Sequence, residues 1–253
     1  RRIFMNIKVK SIAVIFTCVG TINVAANAYA AGEFEPEMVA ITGRCFKMGS
    51  PVNELDRSDN ENQHQVCVKG FEMGRYEVTQ RQWQAVIDSN PSYFKNCFDC
   101  PVEQVSWNDV QDYLRKLNQQ TGKNYQLPTE AEWEYACRGG TAGQIYCGGD
   151  SPDQLAWYNS NSGDKTHPVG QKAANGFGLR DMSGNIWEWT CSAYNKDYGD
   201  TEKVCSNNST GGPLSVRGGS WGSEPASVRS TYRFGGDPAA RGSGVGFRLA
   251  RTL

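Results

Sequence analysis

Eight cysteines between residues 45 and 205 constrain the fold of this chain more than any other feature, because they fall into four local couples. Nearest-neighbour pairing would staple four successive loops, joining Cys45 with Cys67, Cys97 with Cys100, Cys137 with Cys147 and Cys191 with Cys205. An even number of cysteines at such spacings is typical of a disulfide framework in an exported protein. Spacing does not fix the connectivity, so the local pairing is one of several possible arrangements.

The first thirty residues have the pattern of a secretory signal peptide. Met5 is the expected initiator, and two lysines after it precede the apolar run 12–24. An A-x-A pattern then predicts cleavage before Ala31. The apolar run is too short, and too interrupted by polar residues, to span a bilayer. We therefore expect a periplasmic or secreted protein without membrane insertion, whose cysteines meet an oxidising compartment.

The pair Cys97 and Cys100 has a second interpretation. A C-x-x-C pair can supply half of a zinc site or act as a redox dithiol. A zinc site would need a second such pair or clustered histidines, and the chain has only two histidines, His64 and His167. Structural disulfides are therefore the favoured interpretation.

Residues 31–253 are expected to form one domain, because no low-complexity linker and no clear internal repeat divides them. Removal of the signal takes away four basic residues and changes the formal net charge from −1 to −5. No cluster of Lys and Arg remains, which disfavours nucleic acid as a partner. Seven Trp, eleven Tyr and 28 Gly indicate a loop-rich domain with an aromatic core.

Three short helices are predicted in the first half of the chain. Each is opened by a capping box, in which a Ser or Thr is followed three residues later by Gln, Asp or Glu; the boxes begin at Thr79, Ser106 and Thr129. The first helix should end near Pro91 and the second at Gly122, since proline and glycine terminate helices. After Gly140 we expect short strands, turns and loops. The fold class is therefore α+β with low regular secondary structure.

The run Gly184–Trp189 places one carboxylate, Glu188, between two indoles, where it would lose its hydration. That carboxylate needs a partner. An arginine, a set of backbone N–H groups, or a hard cation that also binds Asp181 and nearby carbonyl oxygens would each serve. Spacing leaves open both a salt-bridged core glutamate and a small calcium site.

Six motifs occur in an order and spacing typical of one protein family. They are Tyr76–Thr79, Pro101–Trp107, Leu127–Ala136, Gly184–Trp189, Arg217–Trp221 and Gly246–Arg248. On these motifs, which span about Glu37 to Arg251, the chain resembles the formylglycine-generating enzyme, or sulfatase-modifying factor, family. The resemblance implies a variant of the C-type lectin fold with little regular secondary structure. The same family includes a pyoverdine-maturation branch and an ergothioneine-synthesis branch.

The resemblance also implies where a copper site would lie. Sulfatase-activating members of the family oxidise a substrate cysteine to formylglycine with O2 and a Cu(I) held by two cysteines after the Gly-Gly-Ser motif. Those two positions align here with Ser223 and Val228, and no cysteine follows Cys205. Neither a hydroxyl nor an isopropyl group binds Cu(I), so we expect neither copper nor this reaction. The ergothioneine branch uses three histidine-type iron ligands, which two histidines cannot supply; the pyoverdine-maturation branch is not excluded.

The family's calcium site, unlike its copper site, has suitable residues at the aligned positions of this chain. Its ligands map onto Asp181, Gly184, Ile186 and Glu188, with carbonyl oxygens from the middle two residues. Oxygen ligands of this kind suit calcium. We therefore expect a structural calcium ion, while a second family site, near Trp157, is left open.

Two classes of function follow. In the first, the protein is an oxidative maturation enzyme acting on a peptide or protein substrate. Its site would lie in the groove around Trp187, Ser220 and Trp221, with no catalytic residue identified.

In the second class, the protein is a binding module that keeps the scaffold without the chemistry. Small residues and isolated aromatic anchors in the segment 220–246 suit a recognition surface, which would use Arg229, Tyr232, Arg233, Phe234 and Arg241. The segment resembles the terminal variable region of retroelement-diversified proteins on this fold. The alternative is an ordinary loop with its arginines in structural ion pairs.

Overall fold

The computed structural model describes residues 34–207 and 211–253. The predicted signal peptide, residues 1–30, lies outside these ranges. Within them, no helix has the length and apolar character needed to cross a bilayer.

Four α-helices lie in the described ranges: α1 Gln80–Ile87, α2 Trp107–Thr121, α3 Glu130–Cys137 and α4 Pro152–Leu155. The first three begin at the predicted capping boxes, each with both reciprocal hydrogen bonds. Helix α2 ends as predicted at Gly122, which has a φ of 69°. Helix α1 ends earlier than expected because Asp88 takes a left-handed conformation, with a φ of 62°. The expectation of strands and loops alone after Gly140 is wrong at α4, whose N-terminal Ser151 makes no side-chain cap bond.

Two four-stranded sheets form the framework. The first has the order β1 Met38–Ile41, β4 Phe71–Gly74, β12 Ala250–Thr252 and β5 Tyr125–Gln126. The second has the order β10 Arg233–Gly236, β9 Leu214–Arg217, β8 Trp187–Ala193 and β11 Val245–Gly246. Two smaller pairs join β2 Cys45–Met48 to β3 His64–Cys67, and β6 Ala156–Trp157 to β7 Ser183–Gly184. Most strands have four residues or fewer, as the prediction of low regular content requires.

Strands from the end of the chain lie beside strands from its beginning and middle. Strand β12 is antiparallel to both β4 and β5. Strand β11 runs parallel to β8, with Val245 opposite Trp187 and Gly246 opposite Glu188. The residues between β11 and β12, Phe247 to Leu249, are thereby held in the core, where all three are fully buried.

Aromatic rings dominate the largest core cluster. Trp83 stacks on Tyr113 at a centroid distance of 5.1 Å, and both rings meet Phe247 edge-on. Such pairs stabilise a core by about 0.5–1.5 kcal/mol beyond the area that they bury. The predicted aromatic core is confirmed.

All eight cysteines from residue 45 onward are paired in disulfides. The pairs are Cys45 with Cys67, Cys97 with Cys100, Cys137 with Cys147 and Cys191 with Cys205. The local pairing is confirmed, and the C-x-x-C pair is in its oxidised form.

Candidate functional site

The carboxylate of Glu188 has an arginine partner in the core. Its Oε1 accepts a hydrogen bond from Nη2 of Arg248 at 2.6 Å, and its Oε2 accepts one from Nε at 2.7 Å. The indole N–H of Trp133 also donates to Oε2, at 2.6 Å. Both charged side chains are at most 1% exposed. Of the partners that the sequence analysis left open for Glu188, the structure shows an arginine.

Two further buried carboxylates lie close to this pair. Asp181 accepts a hydrogen bond from Gly170 N at Oδ2, while its buried Oδ1 has no partner among the described residues. Burial raises the pKa of Asp181 to about 6. Burial, together with the charges of Asp181 and Glu188, also raises the pKa of Glu77 well above its usual range. Glu77 is absent from the sequence-based site prediction, although it lies in the first family motif.

Glu77 is hydrogen-bonded to the Gly184–Trp189 run. Its carboxyl group accepts hydrogen bonds from Asn185 Nδ2 at 2.7 Å and from Ile186 N at 3.3 Å. Asn185, with a φ of 62°, also accepts a bond from His167 N at its side-chain oxygen. The side chain of Asn185 therefore fixes the turn that presents Trp187.

Donor atoms suited to a cation remain at this cluster. Among the described residues, Asp181 Oδ1 accepts no hydrogen bond and Glu188 Oε1 accepts one, so both keep lone pairs. In the described parts of the chain, no group of three or more His, Cys, Asp or Glu side chains is arranged to hold a metal ion. Carbonyl oxygens, such as those expected from Gly184 and Ile186, would have to complete a calcium shell. Calcium at Asp181, Gly184, Ile186 and Glu188 stays a prediction.

The two positions aligned with copper cysteines have different environments. Ser223 Oγ accepts a hydrogen bond from Ser220 N at 2.9 Å and lies 3.3 Å from Ser220 Oγ. Val228 is fully buried in an apolar cluster with Tyr146 and Tyr158. It also packs closely on Gly219, where an added Cβ would lie 2.5 Å from a Val228 methyl. Val228 is thus a core residue, whereas the hydroxyl of partly exposed Ser223 lies beside that of buried Ser220.

Trp187 lines a groove of about 380 Å³ together with Phe234, Arg241 and Val245; we call this the aromatic groove. The Trp187 ring lies 5.8 Å from the ring of Tyr232 and 6.4 Å from that of Phe234, between centroids. Phe234 is 55% exposed, so much of its apolar ring faces solvent. The structure therefore brings Trp187, Tyr232 and Phe234 close together, with Phe234 exposed and the other two partly buried.

Ser220 and Trp221 lie next to this groove, across the segment 242–245. Gly244 accepts a hydrogen bond from Trp187 N at 2.7 Å, and an added Cβ on Gly244 would lie 3.1 Å from Ser220. The indole N–H of Trp221 donates to Ser243 O at 2.9 Å. One glycine thus separates the groove from the serine pair.

Three arginines predicted to bind a ligand have carboxylate partners. Arg229 is buried and pairs with Glu54 and Glu61 at 2.6 and 2.7 Å. Arg233 is buried and donates two hydrogen bonds to Glu130. These two side chains anchor the segment to the core, so their predicted binding role is corrected to the structural ion pairs given as the alternative.

Arg241 differs from the other two because it is exposed. It donates to both carboxylate oxygens of Asp109, at 2.8 and 2.7 Å, and lines the aromatic groove. Asp109 therefore fixes a cation at the edge of the groove. Of the five predicted binding residues, Tyr232, Phe234 and Arg241 are placed where a ligand could touch them.

The chain is similar to several known proteins in sequence and in structure. Residues 25–253 match the family model described as a sulfatase-modifying factor enzyme 1-like domain. The chaperone protein LppX of Paenibacillus barcinonensis is 30% identical, over 85% of this chain and 89% of that protein. Treponema denticola variable protein 1 superposes with a TM-score of 0.77 at 28% identity, covering 85% of this chain and 95% of that one. PvdO from Pseudomonas aeruginosa gives the same TM-score at 30% identity, covering 86% and 95%. The predicted C-type-lectin-like variant fold is confirmed.

Proposed function

Since this chain belongs to the family of sulfatase-modifying factor enzyme 1-like domains, we propose that it binds a peptide or protein ligand in the aromatic groove, without copper-dependent formylglycine chemistry. Binding would use Trp187 and Phe234 as anchors in the groove, with the ring of Tyr232, which lies beside Trp187 outside the groove lining, as a flanking contact. Arg241 would meet an acidic or carbonyl group of the ligand at the edge.

The observation that carries this proposal is the contact between exposed Phe234 and partly buried Trp187 beside a fixed cation. Aromatic rings beside an arginine have the composition of a binding hot spot. The aromatic rings contribute contact area with few rotatable bonds, so little conformational entropy is lost on binding. Arg241 is already held by Asp109, which lowers the ordering cost further.

The cysteines support the absence of the copper reaction. Every cysteine in the described ranges is bonded to another cysteine, and thiolates are the ligands that Cu(I) prefers. Ser223 offers a hydroxyl and Val228 is enclosed in the core. A retained scaffold with a different role fits both observations, because one fold hosts many functions.

Export to the periplasm or the cell exterior is part of the proposal. Four disulfides support it, because they persist in oxidising compartments. The names of two similar proteins, a chaperone and a variable protein, support a protein-binding role.

Oxidative maturation of a peptide or protein substrate is the second candidate. It is favoured by the similarity to PvdO, which extends over 95% of that chain. The reaction would need a site other than two thiolates; one of the two aligned positions is Ser223, whose hydroxyl lies beside that of Ser220. The two candidates separate experimentally, because only the second consumes O2.

A selection from a random peptide library tests the binding proposal. Peptides that bind the protein should lose at least about tenfold in affinity for Phe234→Ser, as truncating a hot-spot aromatic does. Phe98→Ser is the matched control, since Phe98 is a 51% exposed aromatic outside the groove. Affinity measured by biolayer interferometry should be unchanged in the control. Selected peptides that bind Phe234→Ser as tightly as the parent would contradict the proposed site.

A further inference from the structure

A second cavity, of about 630 Å³, shares no lining residue with the aromatic groove. Strands β1 and β2, helix α3 and the loop 140–143 surround it. None of the residues predicted to act in catalysis, calcium binding or ligand recognition lines it. Its volume lies in the range of pockets that enclose small organic molecules.

Three aromatic side chains form one wall of this cavity. The ring of Tyr135 lies between those of Phe46 and Phe177, at centroid distances of 5.3 and 5.7 Å. Phe46 and Phe177 are partly exposed, whereas Tyr135 is buried. The wall is therefore apolar and offers ring faces or edges to a flat molecule.

The charges around the cavity all have the same sign. Arg44, Lys47 and Arg138 line it, and none of the described Asp or Glu residues does. Within residues 34–207 and 211–253, the side chains of Arg44 and Lys47 have neither an ion pair nor a hydrogen bond, whereas Arg229, Arg233 and Arg241 are all paired with carboxylates. Arg138 uses Nε and Nη2 to bind Glu134 and the carbonyl of Gly49. Two exposed cations without partners beside an apolar wall favour an anionic ligand.

Local bonds hold the wall in place before any ligand arrives. The hydroxyl of Tyr135 donates to the carbonyl oxygen of Thr42 at 2.9 Å. The disulfide between Cys45 and Cys67 ties the strand that carries Phe46 to its neighbour. Gly140, with a φ of 78°, brings its backbone against the ring of Phe177. A preformed cavity loses little entropy when it binds.

We propose that this cavity binds a small organic anion with a flat apolar body, of the class of aromatic carboxylates. The body packs against Phe46, Tyr135 and Phe177. The carboxylate pairs with Arg44 and Lys47 at the rim. The site is independent of the aromatic groove and of its proposed ligand.

Isothermal titration calorimetry of the full chain with 2-naphthoate tests this site. We expect saturable binding of one molecule per chain, and at least about tenfold weaker binding of 2-naphthamide, which keeps the rings without the charge. The double variant Arg44→Gln, Lys47→Gln should bind 2-naphthoate at least about tenfold more weakly. Lys116→Gln with Lys165→Gln is the matched control, because both lysines are exposed and line neither cavity; its affinity should equal that of the parent.

A second pair of variants locates the binding. Ala142→Trp places an indole in the cavity from the exposed loop and should abolish 2-naphthoate binding, whereas Phe234→Ser in the aromatic groove should leave it unchanged. The proposal is overturned if 2-naphthoate shows no saturable binding or if the amide binds equally well. It is also overturned if the double glutamine variant keeps the parent affinity, or if Phe234→Ser rather than Ala142→Trp removes binding.

Discussion

Arg248 and Glu188 form a buried ion pair with two direct hydrogen bonds across 60 residues of sequence. Arg248 also donates to the carbonyl oxygens of Gly74 and Arg180. One guanidinium group thus connects the first sheet, the loop before β7 and the central strand β8. This arginine positions the run from which Trp187 reaches the aromatic groove.

Removal of Arg248 should strongly destabilise the fold. In Arg248→Met, Glu188 keeps only the Trp133 indole as a donor, and an unpaired buried charge costs about 3–5 kcal/mol. Urea unfolding should show a loss of that size. Arg241→Met is the control, because the exposed pair with Asp109 contributes at most about 1 kcal/mol. Equal losses in the two variants would show that Arg248 is not a core anchor.

Acid should destabilise the protein partly through Glu134. Burial opposes ionisation of this carboxyl group, but Arg138 and Arg217 outweigh burial and lower its pKa. A carboxylate with a lowered pKa contributes stability that is present above its unfolded-state pKa and is lost as the pH falls through the folded-state pKa. The unfolding free energy of the parent should therefore decrease as the pH is lowered below about 4.5.

The variant Glu134→Gln isolates this contribution. It should be less stable than the parent at pH 7, and its unfolding free energy should change less between pH 5 and pH 2. Glu224→Gln, on an exposed side chain, serves as the control and should follow the parent. An acid profile for Glu134→Gln parallel to that of the parent would assign the acid sensitivity to other groups.

Calcium should raise the melting temperature. A ligand that binds only the folded state stabilises it by about 2.7 kcal/mol at 100 times its dissociation constant. The parent should melt at a lower temperature in EGTA and recover when Ca²⁺ is added in excess. Asp181→Asn removes the anionic oxygen that has no hydrogen-bond partner, and should abolish the response. A parent protein that melts identically in both buffers would show that it binds no stabilising calcium ion.

The chain from Ala31 onward should contain no free thiol. Titration under denaturing, non-reducing conditions should detect essentially none, because all eight cysteines are paired. Two or more reactive thiols per chain would contradict the framework and restore a redox or metal role for Cys97 and Cys100.

Local features of the fold were predictable from the sequence, whereas distant partners were not. A capping box is complete within four residues, so Thr79, Ser106 and Thr129 identified three helix starts. Nearest-neighbour cysteine pairing is also a local pattern. Helix α4 escaped prediction because Ser151 makes no cap bond and the helix is only one turn long.

The same limit applies to the candidate site, where partners distant in the sequence were not predictable. Burial of Glu188 was predictable because two indoles flank it, but the choice of Arg248 as its partner depends on the pairing of β11 with β8. Glu77 joins the cluster through its hydrogen bond with Asn185, which is 108 residues away in the sequence. For the arginines, sequence spacing did not distinguish buried Arg229 and Arg233 from exposed Arg241, because their partners come from distant segments.

We propose that this scaffold binds a ligand without copper–thiolate oxidation. The most direct measurement incubates the copper-loaded protein and O2 with a Cys-x-Pro-x-Arg peptide, the sequence that the family resemblance suggests, and follows the peptide by mass spectrometry. We predict that the peptide cysteine is not converted to the aldehyde, because neither Ser223 nor Val228 offers a thiolate and the cysteines are paired. Catalytic conversion to formylglycine that is lost when copper is stripped would contradict the account and establish the protein as an oxidase.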